Sequence, residues 1–244
     1  MMKSGEKASP IIQRIRAELT NNADEATKKS FQRFFKEEVT CYGVKTGLVG
    51  KIAKKYWEEI KGLNKQEIFG LCEELYASGF CEEAFIVAYW VPNLADRFEP
   101  DDLAIFKSWI EKYVDNWAKC DGFCNHTIGG FIEKYPQYVG ELKNWARAGH
   151  RWLRRAAAVS LIIPAREGRF LTDIFEIAGI LISDNDDMVQ KGYGWMLKEA
   201  GRLHQEEVFN YVAANKKIMP RTALRYAIEL MPKDLKSRAM ARDC

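Results

Sequence analysis

Residues 68–92 read IFGLCEELYASGFCEEAFIVAYWVP, and the spacing of their apolar positions decides the fold class. Ile68, Leu71, Cys72 and Leu75 recur at intervals of three and four, and Ala84, Val87, Ala88 and Val91 repeat those intervals. That spacing puts one buried stripe on a helix of 3.6 residues per turn; a strand would alternate with a period of two. Gly79 closes the first run and Pro92 the second, both poor residues for a helix interior. The segment therefore predicts two amphipathic helices joined by a short turn.

The same pattern extends in both directions. Towards the N-terminus it recurs in Ile11, Ile12, Ile15 and Leu19, in Phe31, Phe34 and Phe35, and in Leu48, Ile52, Ala53 and Tyr56. Towards the C-terminus it predicts helices over 101–113, 116–132, 136–147, 150–163, 169–182, 187–200, 204–214 and 219–230. With 17 Gly and 7 Pro in 244 residues, there are few residues for the turns of a many-stranded fold. An all-α chain of about a dozen helices can be a globular bundle or a stack of hairpins. The hairpin spacing, from Leu103 to Glu141 to Leu181, is about 40 residues, in the range of HEAT-like repeats. No linker or low-complexity tract interrupts the chain, so one helical domain over 1–244 is expected.

Composition sets outer limits. The chain is 47% hydrophobic and 29% charged, which excludes disorder and collagen-like order. Lys and Arg number 37 against 34 Asp and Glu, a formal +3; such a chain does not coat nucleic acid indiscriminately. The six cysteines, at 41, 72, 81, 120, 124 and 244, lack a disulfide-framework spacing and read as reduced thiols. Residues 1–8 are charged and polar, and no run reaches the roughly 18 apolar residues of a membrane span. A cytoplasmic monomer without metal or other cofactor is expected. Cys120, Cys124 and His126 do not have zinc-finger or deaminase spacing.

The small net charge hides segregation. No acid lies between Glu141 and Glu167, a window holding Lys143, Arg147, His150, Arg151, Arg154, Arg155 and Arg166. A second acid-free window, from Glu38 to Glu58, carries Lys45, Lys51, Lys54 and Lys55; Lys216, Lys217, Arg221 and Arg225 form a third basic cluster. Acids collect elsewhere, as in Glu73, Glu74, Glu82 and Glu83. Each cluster could be a solvated helix face; on stacked hairpins the three would line a concave face suited to phosphates.

The segment 115–130, DNWAKCDGFCNHTIGG, carries the most chemistry. Trp117 and Asp121 are four apart and share a helix face, so an indole and a carboxylate project together. Trp152 and Arg155 open a basic helix in WLRRAAA, and Trp195 lies in QKGYGWMLKE, where Gly192 and Gly194 read as packing accommodations. Trp57, Trp90, Trp109 and Trp145 read as core.

Gly43-Val44-Lys45-Thr46, Trp117 with Asp121, Trp152 to Ala157, and Gln190 to Trp195 followed by Leu197 and Glu199 together resemble the DNA alkylation repair family of HEAT-like repeat DNA glycosylases, the alkylpurine glycosylase D group. The resemblance runs from about Phe31 to about Leu230. It implies an α-solenoid holding duplex DNA on its concave face, and hydrolytic release of N3- or N7-alkylated purines. Position by position, it implies that Asp121 is the catalytic carboxylate, Trp117 and Trp195 the sugar-contacting aromatics, and Arg155 a phosphate contact. Arg154, Arg151, Arg147, Lys45, Lys51 and Lys191 join the expected DNA-binding set. Many members carry a second Asp directly after the first Trp, where this chain has Ala118, and Cys124, Asn125 and His126 also depart from the family pattern.

The chemistry fits a single carboxylate. Hydrolysis of an ordinary glycoside uses a second carboxyl group as general acid. An alkylated purine is already cationic and leaves as a neutral base, so only the oxocarbenium-like sugar needs stabilising, and a water needs orienting. An indole face adds about 0.5 to 2 kcal/mol of attraction for such a cation. Two other readings remain at this point: a non-catalytic HEAT-like protein that binds branched, bent or damaged DNA, and a protein-interaction solenoid without DNA affinity.

Overall fold

The computed structural model describes residues 8–241; Cys244 and most of the polar N-terminal stretch lie outside them. The described residues contain helices and no strands. Contacts gather the chain into two compact units, residues 1–99 with 112–123, and residues 100–111 with 124–244.

The first unit holds α1 (Pro10–Asn21), α2 (Glu25–Gln32), α3 (Thr46–Ile60), α4 (Lys65–Tyr76) and α5 (Cys81–Trp90), with a 3₁₀ turn at Val91–Arg97. After α6 (Asp102–Tyr113), most of which belongs to the second unit, it also holds α7 (Trp117–Phe123). Local sequence explains several boundaries. Asn64 and Glu67 form a reciprocal capping box at the start of α4, and Asp24 accepts from the Thr27 N–H to begin α2. Pro92 enters a 3₁₀ turn and extends α5 no further.

At the centre of this unit is α5, which packs against α3, α4 and α7. Its apolar residues Cys81, Ala84, Ile86, Val87 and Trp90 are all buried, and the Trp90 indole N–H donates to the Ala53 carbonyl at 2.9 Å. Glu82 and Glu83, part of the acid-rich stretch noted in the sequence, are buried as well, at 3% and 0% exposure. The Glu82 carboxylate accepts from the backbone N–H groups of Tyr42, Gly43 and Val44 at 3.0, 2.8 and 3.0 Å. Glu83 accepts from the Arg16 guanidinium and, at 2.7 Å, from the Tyr42 hydroxyl. The loop they hold turns at Gly43, whose φ is +88°. A Cβ there would lie 2.5 Å from the Asp24 carbonyl oxygen, so only glycine fits.

The second unit holds α8 (Gly129–Lys134), α9 (Val139–Ala146), α10 (Arg151–Val159), α11 (Ile162–Arg166), α12 (Leu171–Leu181), α13 (Asp187–Ala200), α14 (Gln205–Asn215), α15 (Arg221–Ala227) and α16 (Lys233–Met240). Its hairpins α9–α10, α12–α13 and α14–α15 stack in sequence: α10 packs on α13, and α13 on α15, while α9 packs on α12. This is the stacked-hairpin architecture expected from the spacing. The helix expected over 116–132 is divided, because Cys124–Ile128 forms a π turn between α7 and α8. The last helix, α16, was not among those expected.

Helix α13 has the central place here that α5 has in the first unit. Asp186 caps it, accepting from the Met188 and Val189 N–H groups, where a negative charge also complements the helix dipole. Gly194 lets α15 come close: a Cβ there would meet the Ala223 carbonyl oxygen and the Tyr226 Cβ, both at 2.7 Å. Gly192 likewise lies against the Arg155 side chain, so both glycines are packing accommodations. Among the described residues, no helix is long and apolar enough to cross a membrane.

Two substitutions test these placements. Glu82→Ala orphans three backbone N–H groups and is expected to lower unfolding free energy by about 3 kcal/mol or more in urea titration. Gly194→Ala meets backbone rather than a flexible side chain and is expected to cost about 2 kcal/mol; values within ~0.5 kcal/mol of wild type would contradict the close approach.

Candidate functional site

The predicted residues divide between the units: Trp117, Asp121, Lys45 and Lys51 in the first, Arg147, Arg151, Arg154, Arg155, Lys191 and Trp195 in the second. In the first unit Asn116 opens α7, its side-chain oxygen accepting from the N–H groups of Ala118 and Lys119 at 3.0 and 3.1 Å. Ala118 lies in this capped first turn. Buried Lys119 is anchored on the Gly79 carbonyl and on Asp115, at 2.8 and 2.9 Å. α7 also lies close to α5, with Gly122 facing Ala88.

The Trp117 indole is held from two directions. Its N–H donates to the Phe34 carbonyl at 3.3 Å, and its ring stacks on Phe35 with centroids 5.3 Å apart and planes 21° apart. Phe35 in turn contacts Phe31, at 5.0 Å between centroids. One face of the indole is thereby covered, while the residue as a whole stays partly exposed. Asp121, one turn later on α7, is 8% exposed. Attraction between this carboxylate and a nearby cation is screened less than it would be in open water.

In the second unit, Trp195 is partly exposed on α13, and its indole N–H donates to Glu199 Oε1 at 3.2 Å. Glu199, 3% exposed, also accepts from Arg166 Nε at 2.9 Å and Arg202 Nε at 2.5 Å. Burial alone would push the Glu199 carboxyl up, but the hydrogen bonds from Arg202, Arg166 and Trp195 outweigh it and hold the group below the ordinary glutamate value. Arg155 is 5% exposed and donates through Nη1 to the Met188 carbonyl.

The acid-free window of the sequence is not acid-free in space. Asp184 binds Arg154 at 2.6 Å, and Asp186 binds Arg151 at 2.9 Å. Lys143 bridges Asp173 and Glu176, and Lys191 reaches Asp187 at 3.3 Å. Arg147 is exposed and bonded to the Lys143 carbonyl of its own helix. In the first window, Lys55 pairs with Glu18, whereas exposed Lys45, Lys51 and Lys54 have no ion-pair partner among the described residues. Of the third cluster, Lys216 and Arg221 donate to the Ala241 and Met240 carbonyls, and Arg225 is exposed.

The sequence names Phe35 and Glu199 but gives neither a part in the site, and it does not flag the loop acids Asp184 and Asp186. Trp195 and Glu199 are at helical spacing, and Asp186 occupies a recognisable cap position, so both had a local signal. The stacking of Phe35 on Trp117 joins residues 82 positions apart and had none. Cys41, Cys72, Cys81, Cys120 and Cys124 are buried free thiols; burial pushes the Cys81 thiol up to about 12, far from a reactive thiolate at neutral pH.

A family described as DNA alkylation repair enzyme matches residues 15–231. A solved structure described as a predicted DNA alkylation repair enzyme from Enterococcus faecalis is similar, with a TM-score of 0.77 and 14% sequence identity. The match covers 87% of this chain and 98% of that one, and at such identity it speaks for the fold. No curated protein sequence matches the chain.

The depressed Glu199 carboxyl has a pH consequence. Its stabilising contribution is fully present above the unfolded-state value, about 4.3, and is lost as pH falls through the lower folded-state value. Wild type should therefore exceed Glu199→Gln in stability by about 2 kcal/mol at pH 7. The gap should close in urea titrations taken below about pH 4; a gap constant with pH would contradict the assignment.

Proposed function

This chain belongs to the DNA alkylation repair enzyme family, and we propose that it is a monofunctional DNA glycosylase releasing positively charged N3- and N7-alkylated purines from duplex DNA. The observation that carries this reading is Asp121. It is a carboxylate with 8% of its surface exposed, one helical turn from a tryptophan whose indole is already fixed by Phe34 and Phe35. A partly desolvated anion is most useful where positive charge develops, and cleavage of the N-glycosidic bond develops it on the deoxyribose.

In the proposed reaction the bond between the sugar C1′ and the purine nitrogen breaks, and its electron pair goes to the base. The purine enters as a cation and leaves neutral, so no general acid is required. Asp121 stabilises the oxocarbenium-like sugar and accepts the proton of the attacking water as the new C1′–O bond forms. The products are an abasic site, the free base and one proton. No lysine is assigned a Schiff-base step, so strand cleavage is not part of the reaction.

The tryptophans are assigned to the sugar and the cationic nucleotide. Because both indole N–H groups are bonded within the protein, each ring offers a π face or an edge, which suits a cation better than a phosphate. Arg155, a buried side chain whose Nη1 donates to the Met188 carbonyl, is assigned a phosphate beside the lesion. Lys45, Lys51, Arg147, Arg151, Arg154 and Lys191 complete the proposed DNA-binding set; of these, Lys45, Lys51 and Arg147 have no ion-pair partner among the described residues. The protein is read as a cytoplasmic monomer working without a cofactor.

The test is base release from duplex DNA carrying N7-methylguanine. Wild type is expected to release the base, and Asp121→Asn, nearly the same size but uncharged, to lose about 10²- to 10³-fold in single-turnover rate while still binding DNA. If wild type binds this DNA and releases nothing, the glycosylase reading falls. If, in addition, Asp121→Ala tightens binding to undamaged duplex, the non-catalytic DNA-binding reading takes its place.

A further inference from the structure

Glu199 gathers more than an indole. Its Oε1 accepts from Trp195 at 3.2 Å, while its Oε2 accepts from Nε of both Arg166 and Arg202, at 2.9 and 2.5 Å. The carboxylate is 3% exposed, yet the arginine side chains are 52% and 45% exposed. Both guanidinium groups are thus tethered at their inner nitrogen, on side chains that remain about half exposed. Among the described residues, no acid or carbonyl is bonded to the terminal nitrogens of either arginine.

An arginine offers five N–H donors in a planar fork, and a bond at Nε alone leaves the terminal pair for another ligand. Two such forks oriented by one buried anion have already lost much of the side-chain freedom that a flexible surface arginine would lose on binding. One carboxylate against two guanidinium groups also leaves a net positive charge. The ligand chemistry this fits is a tetrahedral oxyanion with several acceptor oxygens, and Trp195 on the same carboxylate places that ligand beside an aromatic face.

The geometry points to Arg166 and Arg202 as a two-guanidinium binding site for a DNA backbone phosphodiester, organised by Glu199 and held in register with Trp195. Arg166 belongs to the basic window that the sequence marks as suited to phosphates, but neither it nor Arg202 is among the individual DNA contacts expected from the sequence. The site rests on the reading of the chain as a DNA-binding repair protein, but it does not depend on base release. Glu199 is a positioning residue here, acting through the three donors it fixes.

The experiment is binding of the full chain to undamaged duplex DNA, followed by fluorescence anisotropy over a range of KCl concentrations. Arg166→Gln and Arg202→Gln are each expected to make the plot of log affinity against log salt shallower by about 1. Arg14→Gln is the control: this arginine is 55% exposed and bound to the exposed Glu59, and its loss should leave the slope as in wild type. Glu199→Gln separates an organised pair from a simple excess of charge. It removes a negative charge, so charge alone predicts tighter binding, whereas loss of the tether predicts binding weaker by roughly fivefold.

Circular dichroism and thermal melting confirm that each variant is folded before its slope is read. Slopes unchanged in both arginine variants, tighter binding by Glu199→Gln, or no salt-dependent DNA binding by wild type would each overturn the site. The slope result is independent of the chemistry. A chain that never releases N7-methylguanine but shows the expected slopes loses the glycosylase reading and keeps this site. A chain that releases the base with unchanged slopes keeps the reading and loses the site.

Discussion

A buried carboxylate must be met by donors, and in this protein that requirement places the helices on which everything else rests. Glu82 takes three backbone N–H groups of the 42–44 loop, fixing the chain directly before α3 begins. Glu83, its neighbour, binds Arg16 of α1 and the Tyr42 hydroxyl. Both acids lie in the first turn of α5, which packs against α7, the helix of Trp117 and Asp121. Removing a partner from such a group leaves an unmatched charge or orphaned donors, a far larger penalty than loss of a surface ion pair.

The second unit uses the same device in a different helix. Glu199 near the end of α13 is met by Arg166, Arg202 and Trp195, and α13 is the helix against which α10, α11, α12 and α15 all pack. Gly192 and Gly194 admit the Arg155 side chain and α15. Both indoles assigned to DNA are consequently fixed through their N–H, one by a carbonyl and one by a carboxylate. A preorganised π face loses little freedom on binding, which is where much of the usual cost of association lies.

Much of the fold was legible because helix periodicity is a local property. The run from Ile68 to Pro92 gave two helices and their turn, and the spacing of the later hairpins gave the stack. Asp121 and Trp117 were legible as a pair because four residues is one helical turn. Pairings across the chain were not. The basic run around Arg151 and Arg154 is read from sequence as unopposed, yet Asp184 and Asp186 approach it from the turn before α13. The burial of Glu82 and Glu83 is not legible locally, because nothing nearby in the sequence shows the Tyr42 to Val44 N–H groups that meet Glu82 or the Arg16 that meets Glu83. The π turn at Cys124–Ile128 coincides with the segment that departs from the family pattern, a place where helix periodicity loses its register.

The charge of the lesion is the hinge of the functional account, since a single carboxylate suffices only when the base leaves as a neutral molecule. The most direct measurement is a comparison of single-turnover base release from two otherwise identical duplexes, one with cationic N7-methylguanine and one with neutral hypoxanthine. The account predicts release of the methylated base and none of the hypoxanthine beyond its spontaneous loss. Comparable release of both bases, or of neither, would contradict it.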